Sequence, residues 1–187
     1  MRGIGVGTAV LCWATALCGQ TPPQPPAGLE TSWEIVPVIQ DIGAHAGRLL
    51  PALDRVDVRA WIDRGASETY LEQLQSCREQ ARAVQDESGN LTHNPERLAG
   101  GMSLLFRLEG LDLMLLSLED GMRKYQTSRD AEAMASLRAQ AEPSRDRFER
   151  YLVQLAAEQE QQLRVMDEEA QRCRALVTAP KTAGKKK

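Results

Sequence analysis

Aromatic side chains are scarce in this sequence: three Trp, three Tyr and two Phe make up 4% of 187 residues. Histidine is scarcer still, limited to His45 and His93. Strand signals are missing, which excludes a sheet-based fold. No segment repeats at a fixed period, so a solenoid is excluded too. The usual catalytic signatures are also missing: there is no Gly-x-Ser-x-Gly, no phosphate-binding glycine loop and no His-Glu-x-x-His. Without Cys-x-x-Cys-His, covalent haem is excluded. Ile42 and Asn90, not glutamates, stand three residues before the histidines, so the Glu-x-x-His pairs of di-iron bundles are lacking. Asp41 and His45 share a helix face at i, i+4, but two ligands are too few for a metal. A salt bridge or a surface pair is the expectation there, although His45 or Ala46 also completes an apolar face with Val38, Ile42 and Leu49; a solvated loop residue is expected at His93. No metal, cofactor or catalytic residue is expected.

A basic excess is lacking as well. The formal charge is −3, and five positives (Arg2, Lys181, Lys185, Lys186 and Lys187) sit at the termini, leaving −8 on the body. Such a body is a poor partner for nucleic acid. The lysine tail reads as a solubilising segment with weak contact to anionic surfaces. The acids Asp167-Glu168-Glu169, with Arg164, Arg172 and Arg174 nearby, read as a solvated helix face. So does the run Arg145, Arg147 and Arg150 with Asp146 and Glu149.

What is present begins with an apolar N-terminus. Arg2 precedes the uncharged run Gly3–Cys18, and Ala14-Thr15-Ala16 fits a cleavage site. Thr21-Pro22-Pro23-Gln24-Pro25-Pro26 follows as a polyproline spacer. The expectation is export to the periplasm or beyond, with cleavage between residues 16 and 20. Cleavage there leaves Cys77 and Cys173, a candidate disulfide in an oxidising compartment. In a straight up-down bundle the two are too far apart to bond. A bond would need an offset bundle or a bend, and free thiols or an intermolecular bond are the alternatives.

The remainder is rich in Leu, Ala, Gln, Glu and Arg, the composition of long packed or coiled-coil helices. The organising stretch is Asn94–Tyr125. Asn94-Pro95-Glu96 predicts its start. Leu98, Met102, Leu105, Leu108, Leu111, Leu115, Leu118 and Met122 recur at helical spacing. Leu104, Phe106, Leu113, Met114 and Leu116 widen the stripe, predicting burial by several neighbours. Gly100, Gly101, Gly110 and Gly121 predict close helix approaches. Before it, Thr31–Glu34 has capping-box spacing, with Val36 as the other possible start. Pro51 predicts a stop at Leu50. A short helix over Val58–Arg64 would bury Trp61. A third, capped by Ser67, would end at Ser88-Gly89-Asn90. After it, Thr127–Asp130 opens a helix running to about Val177, kinked or broken near Pro143. Its apolar face includes Phe148, Tyr151, Leu152, Leu155, Leu163, Met166 and Cys173, diluted by Gln159 and Gln162.

The fold class expected is therefore all-α: an antiparallel bundle of about four or five helices with a long, kinked C-terminal helix. The organisation expected is a signal over 1–20, a linker over 21–31, the bundle over 32–178 and a basic tail over 179–187.

Trp61-Ile62-Asp63-Arg64-Gly65, Gln75-Ser76-Cys77, Tyr151–Ala156 and Met166–Cys173 resemble segments of uncharacterised secreted helical proteins of bacteria. The likeness covers residues 57–176. It implies an exported helical protein, and it carries over no activity and no site residue. The leading functional expectation is a non-enzymatic envelope protein acting through a protein partner or self-association, with Gln159–Val177 as the first surface to suspect. The alternatives are a small apolar ligand held among Met102, Phe106, Met114 and Met122, and an enzyme whose site sequence cannot reveal.

Overall fold

The computed structural model describes residues 29–178. The expected signal and basic tail, most of the proline-rich linker, and Cys12 and Cys18 lie outside the described residues. Helix α1 (Ser32–Leu53) opens as the capping-box spacing predicts. The Thr31 backbone N–H and hydroxyl donate to the Glu34 carboxylate at 2.9 and 2.6 Å. Those bonds hold the Glu34 carboxyl below its ordinary pKa.

Pro51 does not end α1 at Leu50; the helix continues through it to Leu53. Ala52 and Leu53 are buried, and Arg78 of the third helix donates to the Leu53 carbonyl at 3.2 Å. Core burial and that bond outweigh the missing proline N–H. Helix α2 (Val58–Ile62) is capped by the Asp57 carboxylate, which accepts from Ala60 N–H at 3.1 Å. Gly65, at φ 91°, turns the chain after it in the left-handed region that suits glycine. Trp61 is buried, edge-on to Tyr70 at 5.5 Å.

Helix α3 (Thr69–Leu91) also outlasts its predicted stop. Ser88 turns its hydroxyl back onto the Val84 carbonyl at 2.6 Å, and Leu91 is buried, so Ser88-Gly89-Asn90 stays helical. Helix α4 (Leu98–Tyr125) starts later than predicted. Asn94-Pro95-Glu96 forms a turn instead, in which Arg97 N–H donates to the Asn94 carbonyl at 3.3 Å. The Pro95 carbonyl accepts from the Tyr151 hydroxyl at 3.1 Å. Helix α5 (Ser128–Ala139) is capped by Thr127, whose hydroxyl accepts from Asp130 N–H at 3.1 Å. A two-residue break precedes α6 (Glu142–Thr178) and leaves Pro143 in its first turn, where no N–H is needed. Together α5 and α6 form a rod bent by 33°. The all-α fold with a long bent C-terminal helix is thus as the sequence predicts.

Helix α1 packs on α3 and α6, and α4 packs on α3, α5 and α6. The short connections make successive long helices antiparallel. Ile35, Ile39, Ile42, Leu49, Leu104, Leu115, Leu118, Phe148 and Tyr151 fill the centre. The predicted burial of α4 around most of its circumference is corrected. Phe106 and Leu113 are 64% and 68% exposed, because neighbours cover only one side of the helix. Two α4 glycines do mark close approaches. A Cβ on Gly101 would stand 2.3 Å from Leu152, and one on Gly121 2.8 Å from Trp61.

Candidate interaction surface

The rod formed by α5 and α6 is pinned to the bundle on both sides of its bend. Arg138 of α5 donates to Asp112 at 3.0 Å and to the buried Glu119 at 2.8 Å. Arg145 of α6 lies 3.6 Å from the same Asp112. Burial opposes the charge on Arg138, but its bonds to Asp112 and Glu119 prevail and raise its pKa. Further along, Arg147 grips Glu30 at 2.8 Å. The predicted solvated face at Arg145 and Arg147 is therefore corrected, since both arginines reach other elements.

Leu155 is the last fully buried side chain of α6. Gln159 makes the final tie, donating to the Glu96 carbonyl at 3.1 Å. From Glu160 to Thr178 every residue is exposed except half-buried Ala170. These 19 residues are helical throughout and extend ~28 Å beyond the bundle. The apolar stripe does not stop with the bundle. Leu152, Ala156, Gln159, Leu163, Met166, Ala170, Cys173 and Val177 follow one another at alternating steps of four and three. Leu152 is buried, whereas Leu163, Met166 and Val177 are 64%, 65% and 85% exposed. One face thus serves the core along the first part of α6 and is uncovered along the second. Where the free part leaves the bundle, an open notch of about 1020 Å³ lies between Leu29, Ser32 and Glu96 on one side and Ala157, Gln161 and Met166 on the other. Trp33, 76% exposed, stands in the first turn of α1 at this same end.

The two cysteines fall on the two parts of this architecture. Cys77 is buried in the core and Cys173 is exposed on the free part of α6; both are free thiols. The candidate disulfide is therefore not formed. The bend at residues 140–141 does not turn α6 back, and Cys173 lies ~21 Å past the Glu96 loop. Burial pushes the Cys77 thiol up to about 11. Among the described residues, no cluster of three or more His, Cys, Asp or Glu side chains is placed to hold a metal.

His45 is not the surface residue its spacing suggests. It is buried, with Nδ1 3.4 Å from Arg48. Asp41 instead accepts from the Ser144 hydroxyl at 2.6 Å, joining α1 to α6. His93 is exposed, with Nδ1 3.1 Å from the Gly89 carbonyl. The four residues expected to line an apolar pocket do not converge. Phe106 is on the surface, while Met122 borders a cavity of about 190 Å³ with Ala52, Met134 and Leu137. That volume is below the ~300 Å³ at which ligand pockets usually begin. Asp167 and Glu169 are exposed, and Glu168 pairs with Arg172 at 3.7 Å. No helix among the described residues is long and apolar enough to cross a membrane. No family model, curated protein or solved structure matches this chain.

Proposed function

We propose that this chain is a non-enzymatic, exported helical protein that works by binding another polypeptide through the free part of α6. The observation that carries the reading is the exposed apolar face on Glu160–Thr178. Most helices in proteins are stabilised by packing of an apolar face rather than by propensity alone. Here Leu163, Met166 and Val177 hold that face with none of the described residues covering it. Helix-to-helix packing against such a stripe is a recurrent mode of polypeptide recognition. Export is proposed from the sequence alone, on the apolar run Gly3–Cys18 and the cleavage match Ala14-Thr15-Ala16 near its end.

Site-specific photo-crosslinking in intact cells tests this. A photoreactive side chain at Met166 should trap a second polypeptide, and one at Glu132 on α5 should not. If Met166 traps nothing, or both positions trap the same species, the surface is misassigned. Intact mass of the cell-envelope fraction tests export. A species lacking the first 16–20 residues is expected, and a full-length cytoplasmic chain would overturn it.

A further inference from the structure

We infer that the polypeptide on the free part of α6 is a second copy of this chain, with the two helices antiparallel. The inference rests on the reading above and names its partner. Three observations lead to it.

The first is steric. The apolar stripe beyond Gln159 continues the face that, at Leu152, is filled by the chain's own bundle. A helix running parallel beside α6 would meet that bundle within two turns. A helix entering from the free end meets only the stripe and then the notch. A second copy turned by a two-fold axis supplies such a helix, and its tip comes to rest where Leu29, Ser32 and Glu96 border the notch. Each copy fills the step left by the other, which closes the assembly at two.

The second is charge. The half of the overhang nearest the bundle carries Glu160, Asp167, Glu168 and Glu169 against one arginine, Arg164. The tip half carries Arg172 and Arg174 and no acid, and the sequence after it adds Lys181, Lys185, Lys186 and Lys187. Parallel pairing lays like on like; antiparallel pairing lays the acidic half on the basic half.

The third is register. The four-three spacing of the stripe is that of a two-helix seam. With the axis between Met166 and Ala170, Met166 meets Ala170, Leu163 meets Cys173 and Gln159 meets Val177. On the flank, Glu160 meets Arg174 twice. Asp167 and Glu169 each approach their own copies near the axis, which opposes the dimer. The seam is ~28 Å long and ~10 Å wide. By itself it falls short of the ~1,200 Å² that stable interfaces bury, so the tips in the notches must add area. The expected dimer is accordingly of micromolar strength.

The test uses the purified chain with Cys12 and Cys18 replaced by serine. Analytical ultracentrifugation across micromolar concentrations should show a monomer–dimer equilibrium that weakens with added salt. Leu163→Glu with Met166→Glu should raise the dissociation constant at least ~10-fold. Both side chains are exposed, so the circular dichroism of the bundle should be retained. Asp167→Asn should tighten the dimer. Spin labels on Cys173 should lie ~18 Å apart along and across the seam, and a short bis-maleimide should not join them. A chain that stays monomeric at high concentration overturns the inference. So does a dimer that survives the double substitution, or one whose Cys173 residues are joined directly. A monomer whose Cys173 becomes more reactive when residues 1–28 are removed would assign the face to the chain's own N-terminal segment instead. If the chain is monomeric while Met166 still traps a different protein in cells, the dimer falls and the protein-contact reading stands.

Discussion

Glu119 is a buried charge in this core, held chiefly by Arg138 and with Arg123 3.9 Å away. Its carboxylate is buried, and Arg138 holds it at 2.8 Å while also bonding Asp112. Removing one partner of a buried pair strands the other charge, a loss on the order of 3 kcal/mol. Arg138→Met should therefore destabilise the chain by about that much in urea denaturation, and Glu119→Gln with Arg138→Met together should recover part of the loss. His45 makes the stability pH-dependent in a predictable direction. Burial, then Arg48, lower its pKa, with Asp41 acting the other way. The unfolded chain takes up its proton near the ordinary value of 6.5, before the folded one does. Stability from this residue is thus complete above 6.5 and declines as pH falls from there toward the lowered folded value. His45→Gln should flatten that part of a stability–pH curve measured by denaturation at fixed salt; an unchanged slope would assign it to other groups.

At the scale of the element, two glycines of α4 predict opposite outcomes for one substitution. Gly101→Ala drives a Cβ to 2.3 Å of buried Leu152. The α6 contact must open, at a cost of ~1–3 kcal/mol. Gly110 has open space around it. Gly110→Ala should stabilise the helix by up to ~1 kcal/mol, since alanine is the better helix former. Thermal melts of the two variants should move in opposite directions. Helix α6 divides at Gln159 in the same way. Truncation after Gln162 should leave the melting of the dilute chain unchanged, whereas truncation after Gly101's partner Leu152 should lower it, because Leu155 and the Gln159 tie go with it.

Across the whole molecule, thiol chemistry separates core from overhang. With Cys12 and Cys18 replaced, one thiol should react at once with an alkylating reagent and the other only on unfolding, since Cys77 is buried and its thiol is pushed up to about 11. Two fast thiols would contradict the packing of α3. Much of this architecture is legible in the sequence. Thr31, Asp57, Ser67 and Thr127 each mark a helix start within about two residues, because a cap depends on neighbours a few positions away. Trp61 and the α3 stripe from Leu74 to Val84 go inside as their spacing predicts. The misreadings are non-local. Pro51 and Ser88-Gly89 look like stops, yet bonds and burial supplied by other helices carry α1 and α3 past them. Phe106 and Leu113 look like core, but no helix among the described residues lies over them. For His45 the sequence offers both a pair with Asp41 and a place on the apolar face with Ala46, and the fold buries both His45 and Ala46. The free part of α6 is half legible: Gln159 and Gln162 announce a thinner stripe, and only the fold reveals that the bundle ends there.

The bond between Arg147 and Glu30 has a consequence for orientation. It fastens Glu30, just ahead of α1, to α6, so Leu29 and Glu30 lie at the end of the bundle where α6 projects. A tether holding Leu29 would therefore also aim the protruding helix. A tether at that end keeps the protruding helix beside its point of attachment and turns α2 and Gly65 toward the far side. Position along the chain thus becomes direction in space: the described chain enters the body by the same door through which the arm leaves it.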